Sequence, residues 1–128
     1  MPKPTILVVD DESFFRQVFR DILADDGRYH IETAASGMAA LQRLEETNFD
    51  LILADLMMPE VTGLDLLRQT RNLDPPPEVI LATSYASVET AVRALKNGAR
   101  DYLLKPCTPD QLKHVVRTCL EQRQLLNE

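Results

Sequence analysis

Apolar residues fall into two patterns along this chain. Ile6-Leu7-Val8-Val9 after Thr5, Leu51-Ile52-Leu53-Ala54, and Val79-Ile80-Leu81-Ala82 are unbroken apolar runs. Each stops at polar residues: Asp10-Asp11-Glu12, Asp55, and Thr83-Ser84. A short continuous run bounded by turn signals reads as a strand covered on both faces. Tyr102-Leu103-Leu104 is a shorter run that ends on Lys105-Pro106. Tyr29 to Ala34 alternates apolar and polar instead, which predicts a half-exposed strand at a sheet edge. Between these runs, apolar residues recur at helical spacing. The groups are Phe15, Val18, Phe19 and Ile22; Leu41 and Leu44; Leu66 and Leu67; Val88, Ala91, Val92 and Leu95; and Leu112, Val115, Val116, Cys119 and Leu120.

The punctuation agrees with that division. Asp26-Gly27 stops the first helix, Ser36 caps the second, and Pro59 and Gly63 force a loop before a third that opens near Thr62. Pro75-Pro76-Pro77 can only be loop. The fourth helix starts near Ser87 and closes at Gly98. Thr108-Pro109-Asp110-Gln111 is a capping box with proline at the first helical position. Strand and helix therefore alternate five times without a long linker. That predicts an α/β fold, a doubly wound five-stranded parallel sheet with helices on both faces. Right-handed crossovers and an edge position for the second strand favour the flavodoxin-like order 2-1-3-4-5. In that order the switch point lies between the first and third strands, and ligands sit at the carboxyl ends there.

Composition narrows the class. The chain has 128 residues, enough for one domain with a sizeable core. No run approaches membrane-spanning length and no signal peptide opens the chain. Cys107 and Cys119 lack metal-site spacing and read as reduced thiols of a cytoplasmic protein. A net charge of −6 argues against nucleic-acid or anionic-membrane binding by this domain. His30 and His114 are isolated and read as surface residues.

The chemistry collects at the strand ends. Asp10 and Asp11 follow the first strand, Asp55 the third, Thr83 the fourth and Lys105 the fifth. Asp55 alone would suit a helix cap, a metal ligand or a nucleophile. Clustered carboxylates repel one another, and a hard divalent cation resolves that. Oxygen ligands with few carboxylates fit Mg2+, and Mn2+ would fit too. A hydroxyl and an ammonium suit the remaining oxygens of a phosphoryl group. Together they make a site able to form and hold an aspartyl phosphate. A nucleotide or flavin site would need a Gly/Ser/Thr-rich loop after the first strand, where this chain has Asp10-Asp11-Glu12. A haloacid-dehalogenase-like phosphatase would carry its nucleophile on the first strand in an Asp-x-Asp pattern, which is absent.

Taken in order, VVDDE, LADLMMP with Gly63, Ala82-Thr83-Ser84 and DYLLKP resemble the receiver domain of bacterial two-component response regulators. The resemblance covers nearly the whole of residues 1–128. It implies that Asp55 is the phospho-acceptor and that Asp11 binds magnesium directly, with Asp10 assisting through water. The backbone carbonyl of Met57 would be a further ligand. Thr83 and Lys105 would contact the phosphoryl oxygens. Tyr102 would be an aromatic switch residue on the face of the fourth helix, fifth strand and fifth helix. A cis bond before Pro106 rests on the same resemblance. Met57 and Tyr85, two positions after the acceptor and the threonine, are expected to shield the phosphoryl group from water.

The last stretch, SVETAVRALKNGARDYLLKP through VVRTCLEQRQLLNE, is similar to receivers of nitrogen-regulator-type enhancer-binding activators. The final helix has no stop signal, and about 20 helical residues span about 30 Å. By that resemblance, residues 121–128, with Leu125 and Leu126, are expected to start a linker helix to a missing output domain, or else to overhang a stand-alone receiver. The implied function is a phosphorylation switch, not an enzyme with a separate substrate. Its partners would be a sensor histidine kinase or phosphotransfer protein and a second copy of the chain. The alternative is a degenerate receiver acting as a constitutive interaction module.

Overall fold

The computed structural model describes residues 3–126. The elements are β1 Thr5–Val9, α1 Ser13–Asp26, β2 His30–Ala34, α2 Gly37–Glu46, β3 Leu51–Asp55, α3 Gly63–Thr70, β4 Glu78–Thr83, α4 Val88–Lys96, β5 Asp101–Leu104 and α5 Pro109–Leu126. All strand pairs are parallel and the order is β2-β1-β3-β4-β5, as the apolar pattern predicts.

Continuous apolar strands follow from two covered faces. Alternate residues of each strand point opposite ways. Ile6, Val8, Leu51, Leu53, Ile80 and Ala82 pack with Phe19 and Leu23 of α1 and with Leu112, Val116, Cys119 and Leu120 of α5. Leu7, Val9, Ile52, Ala54, Val79 and Leu81 pack with Ala40 of α2, Leu66 and Leu67 of α3, and Ala94 of α4. Burying each large side chain contributes about 1.5–3 kcal/mol. β2 lies at the edge with His30 and Thr33 exposed, which explains its alternation.

The caps lie where their residue types require. Gly27 takes φ 71° beyond α1, the left-handed turn that glycine tolerates best. Ser36 accepts from Ala39 N–H. Thr62–Asp65 and Ser87–Thr90 are reciprocal capping boxes. Thr108 Oγ1 accepts from Gln111 N–H while Gln111 Oε1 accepts from Thr108 N–H. Gly63 is required by close approach, because a Cβ there would collide with the Asp55 carbonyl oxygen. The Lys105–Pro106 bond is cis, and so is Asp74–Pro75, which the sequence did not suggest.

The fourth helix departs from the reading of its apolar stripe. Val88 is 82% exposed, and Val92 and Leu95 are also open, while Ala94 is the residue of α4 that is fully buried. The period is helical, but the face turned to the core is the small one. Leu104 of β5, the strand that follows α4, is exposed as well. At the far end of α5, Arg123 donates to the Pro76 carbonyl and pairs with Glu78 and Asp50, which ties the helix to the lower ends of β3 and β4. Leu125 is exposed. Residues 127 and 128 and the Leu126 side chain, part of the expected linker, lie outside the described set.

Candidate phosphoryl-acceptor site

The carboxyl ends of β1, β3, β4 and β5 form one rim. Parallel pairing places them together, since β1 flanks β3, β3 flanks β4 and β4 flanks β5. Asp10, Asp55, Thr83 and Lys105 are all buried there, and Asp11 is exposed at the mouth. Carboxylate oxygens of Asp10, Asp11 and Asp55 lie within 4.8 Å of one another.

Asp10 is held on every side. Its N–H donates to the Ala34 carbonyl at 3.2 Å, and its own carbonyl accepts from Arg16 Nη1 at 2.7 Å. Oδ1 accepts from Glu12 N–H at 2.9 Å and Oδ2 from Lys105 Nζ at 2.8 Å. Asp55 Oδ1 accepts from Met57 N–H at 3.2 Å, and Oδ2 lies 3.3 Å from Lys105 Nζ. One ammonium thus serves two carboxylates, a pairing that the sequence pattern does not predict. The lysine is fixed at its backbone as well, since its N–H donates to the Thr83 carbonyl at 2.8 Å. Its side chain is only 1% exposed, and a buried ammonium must be paired to stay charged.

Three carboxylates against one ammonium still leave excess negative charge. Burial pushes the Asp55 carboxyl up to about 6; Lys105 works in the opposite direction, and Asp10 adds to the rise. A group bearing that penalty gains most from a nearby cation. The all-oxygen donor set and the exposure of Asp11 fit a hydrated hard divalent ion.

Thr83 is the last residue of β4 and is buried at the same rim. Its Oγ1 accepts from Tyr85 N–H at 3.1 Å, so the hydroxyl proton remains free to donate. Tyr102 lies on β5, three residues before Lys105. It is half-buried, not fully exposed, and its hydroxyl shares a 2.6 Å hydrogen bond with Thr90 Oγ1. Met57 and Tyr85 flank the site in sequence, and both side chains are largely exposed. Met58, by contrast, is buried in the core.

Two residues escaped the sequence reading. Phe15 looked like one more core residue at helical spacing, yet its ring faces the Lys105 ammonium at 4.2 Å. Thr90 carries no signal in the sequence. Both contacts join residues far apart in the chain.

A doubly wound sheet with an aspartate rim and a lysine spanning its carboxylates defines the class. The sequence profile of the response regulator receiver domain matches residues 6–117, and the chain belongs to that family. It is similar to the alginate biosynthesis transcriptional regulatory protein AlgB of Pseudomonas aeruginosa, 46% identical over 120 residues that cover 94% of this chain and 26% of AlgB. It is also similar to the transcriptional regulatory protein ZraR of Escherichia coli K12, 42% identical over 115 residues, 90% of this chain and 26% of ZraR. The chain therefore spans about a quarter of the length of these curated relatives. Among solved structures, a response regulator receiver domain protein from Clostridium thermocellum superposes with a TM-score of 0.88 at 33% identity, covering 96% of this chain and 98% of that one.

Proposed function

We propose that Asp55 accepts a phosphoryl group from the phosphohistidine of a sensor kinase or phosphotransfer protein. An Asp55 carboxylate oxygen attacks phosphorus, a P–O bond forms and the P–N bond breaks. The electron pair of that bond returns to the imidazole nitrogen. There is little covalent work for the protein beyond positioning and charge. Lys105 is already placed at the acceptor, and Thr83 has a hydroxyl proton to offer. The observation that carries this reading is the Lys105 ammonium set between Asp10 and Asp55.

Asp10, Asp11, Asp55 and the Met57 carbonyl are the proposed ligands of Mg2+, with Mn2+ able to replace it. When bound, the ion would neutralise carboxylate and phosphoryl charge. Without it, the carboxylates of Asp10 and Asp11 repel an incoming phosphoryl group, so the residues and the ion belong together.

The output we propose is a protein-binding change. α4 and β5 present Val88, Val92, Leu95 and Leu104 to solvent. With α5 they form a surface suited to a second copy of the chain. The match to transcriptional regulators about four times as long supports a receiver that controls transcription through a following output domain. No helix among the described residues is long and apolar enough to cross a membrane, which suits a cytoplasmic setting.

Acetyl phosphate with magnesium, followed by intact mass, tests the acceptor. Wild type should gain one phosphoryl group and Asp55→Ala none. No gain in wild type would favour the degenerate receiver.

A further inference from the structure

Lys105 has a third neighbour besides its two carboxylates. Its Nζ lies 4.2 Å from the centroid of the Phe15 ring. Phe15 is on the first full turn of α1 and is braced by other rings. Phe14 meets it edge-on at 5.3 Å, and the buried Phe19 lies tilted at 6.0 Å. The ammonium is therefore enclosed by two carboxylates and an aromatic face.

We propose that Phe15 is a positioning residue of the acceptor site, holding the Lys105 ammonium beside Asp55 by cation–π attraction. The proposal rests on the reading of Asp55 as phospho-acceptor and adds a residue to it. The physical case begins with burial. An ammonium cut off from water needs compensation on each side, and a ring face supplies negative quadrupole charge where an aliphatic side chain supplies none. The second part concerns direction. A ring face holds the ammonium as a whole and does not fix any single N–H as a carboxylate oxygen does. The lysine can then redirect an N–H from Asp55 to a phosphoryl oxygen while its holder stays in contact. The third part is charge. A further carboxylate at this position would also hold the ammonium, but it would repel the phosphoryl donor.

The test keeps shape constant while changing the ring's charge. Mono-, di- and trifluorinated phenylalanine are placed at position 15 of the full chain, with Phe15→Leu alongside. Phosphoryl uptake from acetyl phosphate with magnesium is timed by intact mass. Magnesium affinity and the proton shifts of the Lys105 ε-methylene are measured in parallel. Uptake should fall stepwise with fluorination and about tenfold in Phe15→Leu, with magnesium affinity unchanged. The Lys105 methylene should be shifted upfield by the ring in wild type and return to its ordinary position in Phe15→Leu. Equal rates across the fluorinated series, or no upfield shift in wild type, would overturn the proposal. If Phe15→Leu fails to fold, the fluorinated series still decides, because it preserves the side-chain volume. A wild type that takes up no phosphoryl group defeats the reading of Asp55 itself. The ring shift then still reports whether Phe15 holds the ammonium.

Discussion

The hydroxyls of Tyr102 and Thr90 share a hydrogen bond of 2.6 Å, which ties β5 to the first turn of α4. Thr90 is also half of the capping box with Ser87, so the tyrosine is joined to the network that starts the helix. Any movement of the Tyr102 ring must break this bond or carry the helix start with it. Tyr102→Phe should therefore loosen the first turn of α4. Hydrogen exchange of the Thr90 and Ala91 amides should quicken roughly fivefold to tenfold, for the loss of about 1 kcal/mol. Unchanged exchange would show that the bond does not hold the helix.

Self-association follows from the same surface. If phosphorylation draws Thr83 towards Asp55, the loop at Ser84 and the start of α4 shift with it, and the exposed Val88, Val92 and Leu95 can be buried between copies. Beryllofluoride with magnesium should raise the dimer fraction in sedimentation. Thr83→Ala should bind beryllofluoride and lose that response. A dimer response that survives in Thr83→Ala would place the switch elsewhere.

Metal binding should depend on Asp11 more than its exposure suggests. It is the carboxylate of the cluster at the mouth, and the Lys105 ammonium is paired with the other two. Asp11→Ala should weaken magnesium affinity tenfold or more, roughly the loss of one charged ligand. Titration calorimetry decides it, and thermal unfolding should show a fold left intact.

The raised Asp55 carboxyl gives a pH prediction for metal-free protein. Its unfolded value is 3.8 and its folded value about 6. Below 3.8 the group is protonated in both states and costs nothing. As pH rises through that window the unfolded chain ionises first, so the fold is progressively destabilised, and the cost is complete above about 6. Asp55→Asn should stabilise the metal-free protein at pH 7.5 by about 3 kcal/mol and give almost no advantage at pH 3. Magnesium should stabilise wild type at pH 7.5 more than at pH 5. Denaturant titrations at the three pH values check both.

Phosphoryl lifetime tests the two bulky neighbours of the site. Met57 is 58% and Tyr85 81% exposed, so both side chains can be exchanged without disturbing the core. Replacing them with groups that can orient water, as Met57→Asn with Tyr85→Glu, should speed loss of the phosphoryl group severalfold. Decay of the phosphorylated mass at equal or slower rate would remove the shielding role.

The elements and their order were legible because local rules set them. Unbroken apolar runs need two covered faces, and HIETA alternates because an edge strand does not have them. Caps at Ser36, Thr62, Ser87 and Thr108 depend on residues within three positions. Once the strand order follows, Asp10, Asp55, Thr83 and Lys105 must meet at one rim. What the sequence could not decide is where side chains point when two packings satisfy the same period. The apolar stripe of α4 had the right spacing for a core face, yet the sheet accepts Ala94 and leaves Val88, Val92 and Leu95 outside. Lys105 bridging Asp10 and Asp55, Phe15 over its ammonium, and Tyr102 on Thr90 are contacts between segments 12 to 95 residues apart. Their formation depends on distances of a few ångströms fixed by sheet twist and helix placement. No local pattern carries that information, and only the folded chain brings those atoms together.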